Sequence, residues 1–109
     1  MITATFDITS ENLSLRLEGH AGYAEIGKDT VCASATILAY TVAQYVRTAE
    51  IHGELVSPPE IRLDRGDIFI SCEPILEEWA EIFNVFHFAK TGCQLLANNY
   101  SQYVRLIES

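Results

Sequence analysis

At 109 residues, with 49% hydrophobic and 20% charged positions, the chain has the composition of a folded protein and the length of one domain, residues 1–109, able to bury roughly 65% of its unfolded surface. Fifteen acidic against seven basic side chains leave a formal charge of −8, which argues against nucleic acid as a direct partner because phosphate binding needs a basic footprint. A cationic peptide or basic protein is the better electrostatic match.

Ile2, Ala4, Phe6 and Ile8 alternate with Thr3, Thr5 and Asp7, the pattern of a half-buried strand. Ser10, Glu11 and Asn12 supply a turn, and Leu13, Leu15 and Leu17 alternate with Ser14, Arg16 and Glu18 in a second strand that closes a hairpin and stops at Gly19. Residues 19–29 hold three of the six glycines and follow neither a period of two nor one of 3.6, so they read as a loop. Asp29 reads as the N-cap of a helix whose apolar stripe is Val31, Ala35, Leu38, Val42 and Val46 and which ends near Ala49.

Gly53, Pro58 and Pro59 punctuate a connection or a short edge strand near residues 54–56. Ile61 to Leu63 and Ile68 to Cys72 flank the turn Asp64-Arg65-Gly66-Asp67 and form a second hairpin. Pro74 opens a long helix with Glu73, Glu77, Glu78 and Glu81 near its positive end and the stripe Ile75, Trp79, Ile82, Phe83, Phe86, Cys93, Leu96. It breaks near Asn98-Asn99. Residues 100–107 suit either more helix or a final strand, and Tyr103 to Ile107 favours the strand. The order ββα-ββα-β predicts an α+β domain with two helices packed on an antiparallel or mixed sheet.

Cys32, Cys72 and Cys93 are an odd set without a C-x-x-C pair, so neither a disulfide framework nor a zinc site is expected. Nothing in the sequence calls for a metal or an organic cofactor. With no signal-like start and no apolar run of membrane-spanning length, the expectation is a soluble cytoplasmic protein with reduced thiols.

A thiol in the first turn of a helix feels the positive end of the helix dipole, which favours thiolate and makes Cys32 a candidate nucleophile. The backbone N–H groups of Cys32 and Ala33 are then expected to be free to hold a developing oxyanion. His20, at the end of the second strand, can be brought back by the loop to take the thiol proton and return it to a leaving amine. Asp29 reads either as a third member orienting the imidazole or as a plain N-cap, with the cap the stronger reading. The bland alternatives are a cysteine that is merely a small apolar residue and an inert histidine. Cys72 and Cys93 fall on apolar faces and read as core, while His52 and His87 have no evident partner. Residues 22–29 nearly spell a phosphate-binding G-x-x-x-x-G-K-[ST] loop, but Asp29 replaces the Mg²⁺-holding hydroxyl and Glu25 places negative charge inside the cradle.

The stretch Gly19-His20-Ala21-Gly22-Tyr23-Ala24, followed by Gly27-Lys28-Asp29-Thr30-Val31-Cys32-Ala33-Ser34-Ala35, resembles the signature of the ribosomal-processing cysteine protease family of Gram-positive and related bacteria. Chain length, the long second helix and the closing Tyr100-Ser101-Gln102-Tyr103-Val104-Arg105 extend the likeness over nearly the whole chain. The resemblance implies a homodimeric cysteine endopeptidase that removes a short N-terminal extension from a large-subunit ribosomal protein, cutting after an aromatic pair. Prophage relatives act instead on a capsid or scaffold protein. It also implies Cys32 as nucleophile, His20 as general base, Asp29 beside the dyad, and substrate contacts from Gly22, Tyr23 and Gly27 in a segment that closes over the peptide. Thr30, Ser34 and Thr36 stand where the family usually has an aliphatic residue, Ala and Ser; Thr36 keeps the hydroxyl and is counted with the substrate contacts. The competing reading is a degenerate, non-catalytic peptide-binding dimer.

Overall fold

A computed structural model describes residues 1–19 and 28–108, with Lys28 and Asp29 described by their backbone alone. Its elements are β1 (Ile2–Asp7), β2 (Leu13–Glu18), α1 (Lys28–Ile51), β3 (Glu60–Asp64), β4 (Asp67–Cys72), α2 (Trp79–Asn99) and β5 (Val104–Glu108). The order is ββα-ββα-β, two helices on a five-stranded mixed sheet.

The strand order is β3-β4-β2-β1-β5. All neighbours are antiparallel except β1 and β5, which run parallel with Ile2 opposite Val104. Registers keep one face apolar: Ala4 opposes Leu17, Phe6 opposes Leu15, Leu15 opposes Ile70, and Leu13 opposes Cys72. These residues are buried beneath the helices, together with Val42, Val46, Ile82 and Phe86. Ala35, Ala39, Ala43 and Ala49 are also buried, and such short side chains let α1 lie close to the sheet. Gly92 does the same between the helices, because a Cβ there would come within 2.7 Å of a Leu38 methyl.

The opposite sheet face is covered by its own long side chains. Arg16 and Arg62 lie over the Phe69 ring at 5.9 and 5.7 Å, and each reaches Asp67 at 3.3 Å. These are charge pairs rather than aligned hydrogen bonds, since the Nε atoms of both arginines and Oδ1 of Asp67 find no hydrogen-bond partner of good geometry.

Several expectations shift. The edge strand near residues 54–56 reduces to a single bridge between Leu55 and Pro74, because Gly53 turns at φ +72° just before it and Pro58 and Pro59 end pairing just after. Pro74 does not open a helix: the Val56 N–H donates to the Glu73 carbonyl and the Ile75 N–H to the Glu54 carbonyl, which holds residues 73–75 extended. A 3₁₀ turn at Leu76–Glu78 then leads into α2. Residues 104–108 form a strand, as the β-branched pattern suggests.

Candidate active site

The thiol of Cys32 is half-buried on α1 and packs against the core cluster. At about 100° per residue, Cys32, Thr36 and Ala39 share one flank of α1, and Ile37, Thr41 and Tyr45 lie on the opposite one. Ser34, Thr41 and Thr48 each bond their hydroxyls back to the carbonyl four residues earlier. Thr36 makes no such bond, so its hydroxyl stands available on the Cys32 flank, one turn further along.

The start of α1 corrects two expectations. Helical backbone already begins at Lys28, so Asp29 stands inside the first turn rather than on the cap, and Cys32 is the fifth helical residue rather than a first-turn one. In i to i−4 bonding the Cys32 N–H then meets the Lys28 carbonyl and the Ala33 N–H meets that of Asp29, so neither is free for an oxyanion. Among the described residues, the N–H groups lacking an acceptor within the helix described here are those of Lys28, Asp29 and Thr30. The dipole's help to a thiolate also weakens beyond the first turn.

His20, Gly22, Tyr23 and Gly27 lie outside the described residues, as does the side chain of Asp29. The root of that segment is well defined. Gly19 adopts φ +114°, its N–H donates to the Gly66 carbonyl at 3.0 Å, and a Cβ on it would overlap the Met1 carbonyl. The position before His20 thus lies against Met1, just ahead of β1, and is hydrogen-bonded to the β3–β4 turn. His52 and His87 are elsewhere: His52 follows the last turn of α1, about 30 Å along the helix from Cys32, and exposed His87 stacks on Phe83 at 5.7 Å. No group of three or more His, Cys, Asp or Glu side chains among the described residues is arranged to hold a metal ion.

A family model described as cysteine protease Prp matches residues 1–105. The chain belongs to the Prp family of cysteine proteases. Staphylococcus aureus ribosomal processing protease Prp with a substrate peptide superposes with a TM-score of 0.72 at 23% identity, each chain covered in full. The same protease with a covalently linked product peptide gives 0.71 at 24%, again with full coverage. SMU.848 from Streptococcus mutans gives 0.69 at 25%, covering 99% of this chain and 93% of that one. No curated protein matches the sequence closely enough to count as a relative.

Burial separates the three thiols of this Prp-family protease. Cys72 and Cys93 are 3% and 1% exposed, and desolvation pushes their thiols up to about 12 and about 11. Both stay protonated near neutral pH and are closed to a peptide. Cys32 is the one thiol with access to solvent. One surface feature is not marked by the core stripes of the sequence, an apolar groove on the outer side of the helices. Its residues Ile37, Tyr40, Tyr45 and Phe88 are large and exposed and fall off the core stripes.

Proposed function

We propose that this Prp-family protease removes a short N-terminal extension from a basic large-subunit ribosomal protein in the cytoplasm, working as a homodimer and without a cofactor. The observation that carries the reading is the family match over residues 1–105 joined to Cys32 being the accessible thiol. The Staphylococcus aureus relative of the same fold is a ribosomal processing protease that takes a peptide substrate. The charge of −8 suits a cationic substrate.

In the proposed reaction His20 accepts the Cys32 proton and Sγ attacks the scissile carbonyl, forming a C–S bond as the carbonyl π electrons move to oxygen. Collapse of the tetrahedral intermediate breaks the C–N bond, and the imidazolium gives its proton to the departing amine. Water, deprotonated by the same imidazole, then attacks the thioester; the new acid leaves and the thiol is restored. The oxyanion is held by N–H groups other than those of Cys32 and Ala33, with the amides at the start of α1 the nearest along the chain. Asp29 in that turn, and Gly22, Tyr23, Gly27 and Thr36, are assigned to orienting the base and seating the peptide.

Mass spectrometry of a peptide carrying the ribosomal extension and its aromatic pair, incubated with wild type or with Cys32→Ala, tests the proposal. Cleavage by wild type alone supports it. If the ribosomal peptide stays intact while a phage capsid or scaffold peptide is cut, the reaction stands and the substrate assignment falls. Full activity in Cys32→Ala removes the proposed nucleophile.

A further inference from the structure

The most exposed large apolar side chains among the described residues stand far from Cys32. Leu76 is 87% exposed and Ile51 81%, and Val56, close by along the chain, is 58% exposed. Ile51 ends α1 and Leu76 opens the 3₁₀ turn before α2, a turn that buries none of its residues. The connecting segments are tied into one surface: the Val56 N–H donates to the Glu73 carbonyl, the Ile75 N–H donates to the Glu54 carbonyl, and Leu55 bridges Pro74. None of the three exposed residues lines the groove between the helices, and none belongs to the core. Exposed apolar surface rimmed by polar groups is the mark of a binding site.

The rim here has one sign. Residues 48–57 and 73–84 hold Glu50, Glu54, Glu73, Glu77, Glu78 and Glu81 and neither lysine nor arginine, so six of the fifteen acidic side chains share this end of the molecule. Arg47, one turn back on α1, is the nearest cation along the helix. The crowding is felt by the carboxylates themselves: a hydrogen bond shared with Glu81, then desolvation and the charges of Glu54, Glu81 and Glu77, raise the Glu78 carboxyl above its ordinary range. A cationic partner relieves that repulsion, whereas a second copy carrying −8 adds to it.

We infer that this end of the molecule is a second docking surface for the substrate protein, taking a stretch of lysine, arginine and apolar residues from the part that is retained after the cut. The inference rests on the protease reading above and adds where the basic part of the substrate is held. Charge complementarity selects the occupant, and Leu76, Ile51 and Val56 supply the apolar contact. The geometry also fixes a spacing. Ile51 lies about 28 Å along α1 from Cys32, a distance spanned by roughly nine residues of extended chain. A short extension on the departing side does not reach that far, so the docked stretch belongs to the retained side. Two contacts joined through one chain make the second intramolecular, which raises kcat/KM through a lower KM.

Two measurements on the full chain test this, with the double variant Glu50→Lys/Glu77→Lys and with Leu76→Ser, all at exposed positions. In the first, fluorescence anisotropy follows a labelled peptide of lysine, arginine and leucine that lacks a cleavage site. Wild type is expected to bind it, the double variant at least tenfold more weakly and Leu76→Ser at least threefold more weakly. Asp64→Lys, the same kind of charge change at the other end of β3, is expected to bind as wild type. Should the double variant lose its circular dichroism spectrum, Leu76→Ser alone decides. In the second, kcat/KM is compared for two peptides cut at the same bond, one ending about five residues after it and one continuing into a basic stretch that starts about nine residues after it. Wild type is expected to favour the longer peptide at least tenfold, in KM, and the variants to lose that advantage while cutting the shorter one as wild type does. A probe that does not bind, or that binds the folded variants equally, overturns the docking surface. A probe that binds through the surface while both peptides are cut equally overturns its part in substrate capture. If neither peptide is cut, the substrate assignment above falls together with the capture role, and the anisotropy still decides the surface.

Discussion

Burial gives the three thiols different chemistry, and that difference is directly measurable. Iodoacetamide at pH 8 is expected to alkylate Cys32 in the folded protein and to reach Cys72 and Cys93 only in denaturant, read by mass spectrometry. The same burial ties stability to pH. The two core thiols titrate at about 12 and about 11 when folded, against a value of 9.0 for an unburied thiol, so the unfolded chain loses these protons first. Their contribution is therefore fully present below pH 9 and is lost as pH rises through about 11 to 12. Denaturation midpoints are expected to fall across that window, and more gently in Cys72→Ala, whose midpoint at pH 8 is itself lower because a small cavity opens. Gly19 is the other residue with a sharp expectation. An alanine there meets both the left-handed φ and the Met1 carbonyl, so Gly19→Ala is expected to cost about 1–3 kcal/mol in urea unfolding.

Among the elements, the exposed sheet face shows how a mixed sheet with one open side covers itself. Phe69 is the aromatic residue of that face, and Arg16 and Arg62 from the neighbouring strands roof it while Asp67 draws both guanidiniums inward. The side chains of all three charged residues are more than a third exposed, so solvent screening keeps the pairs weak. Asp67→Asn is expected to cost about 0.5–1 kcal/mol at low salt and less at 1 M NaCl, by denaturant titration. Strands of this kind were legible in the sequence because a period of two fixes which side chains face inward: Ile2, Ala4 and Phe6 against Leu13, Leu15 and Leu17 leave no choice of face. Helix ends were less legible. Asp29 looked like a cap because its side chain suits one, yet the backbone is helical a residue earlier, and that offset moved Cys32 off the free amides. Pro74 suited a first helical turn equally well, and only long-range pairing with residues 54–56 decided against it. The exposed helix face was illegible for a related reason. Periodicity marks the stripe that meets the sheet and is silent about apolar residues such as Ile37 and Phe88 that serve neither the core nor the solvent.

At the scale of the whole molecule, the charge of −8 acts with opposite sign on the two encounters proposed for it. Carboxylates are unevenly spread: Glu54, Glu78 and Glu81 crowd near Tyr45, whose hydroxyl pKa is raised first by burial and then by these three charges. Two copies that pair as a homodimer must bring such carboxylates nearer to each other. Added salt screens that repulsion, with a Debye length of about 10 Å at 0.1 M and about 3 Å at 1 M, and leaves apolar contacts intact. The dimer dissociation constant is therefore expected to fall by several-fold between 0.05 and 0.5 M NaCl. A cationic peptide gains from the same field, so kcat/KM for a basic ribosomal extension is expected to fall over that range. Replacing the peptide's lysines and arginines by glutamine should flatten the second dependence and leave the first unchanged. Parallel salt titrations of sedimentation and of peptide cleavage measure both slopes on one preparation. A dissociation constant that does not fall, or a kcat/KM that does not fall, would mean that charge does not act on that encounter in the way proposed, whereas association that tightens while kcat/KM declines would separate assembly from substrate capture as two uses of one acidic surface.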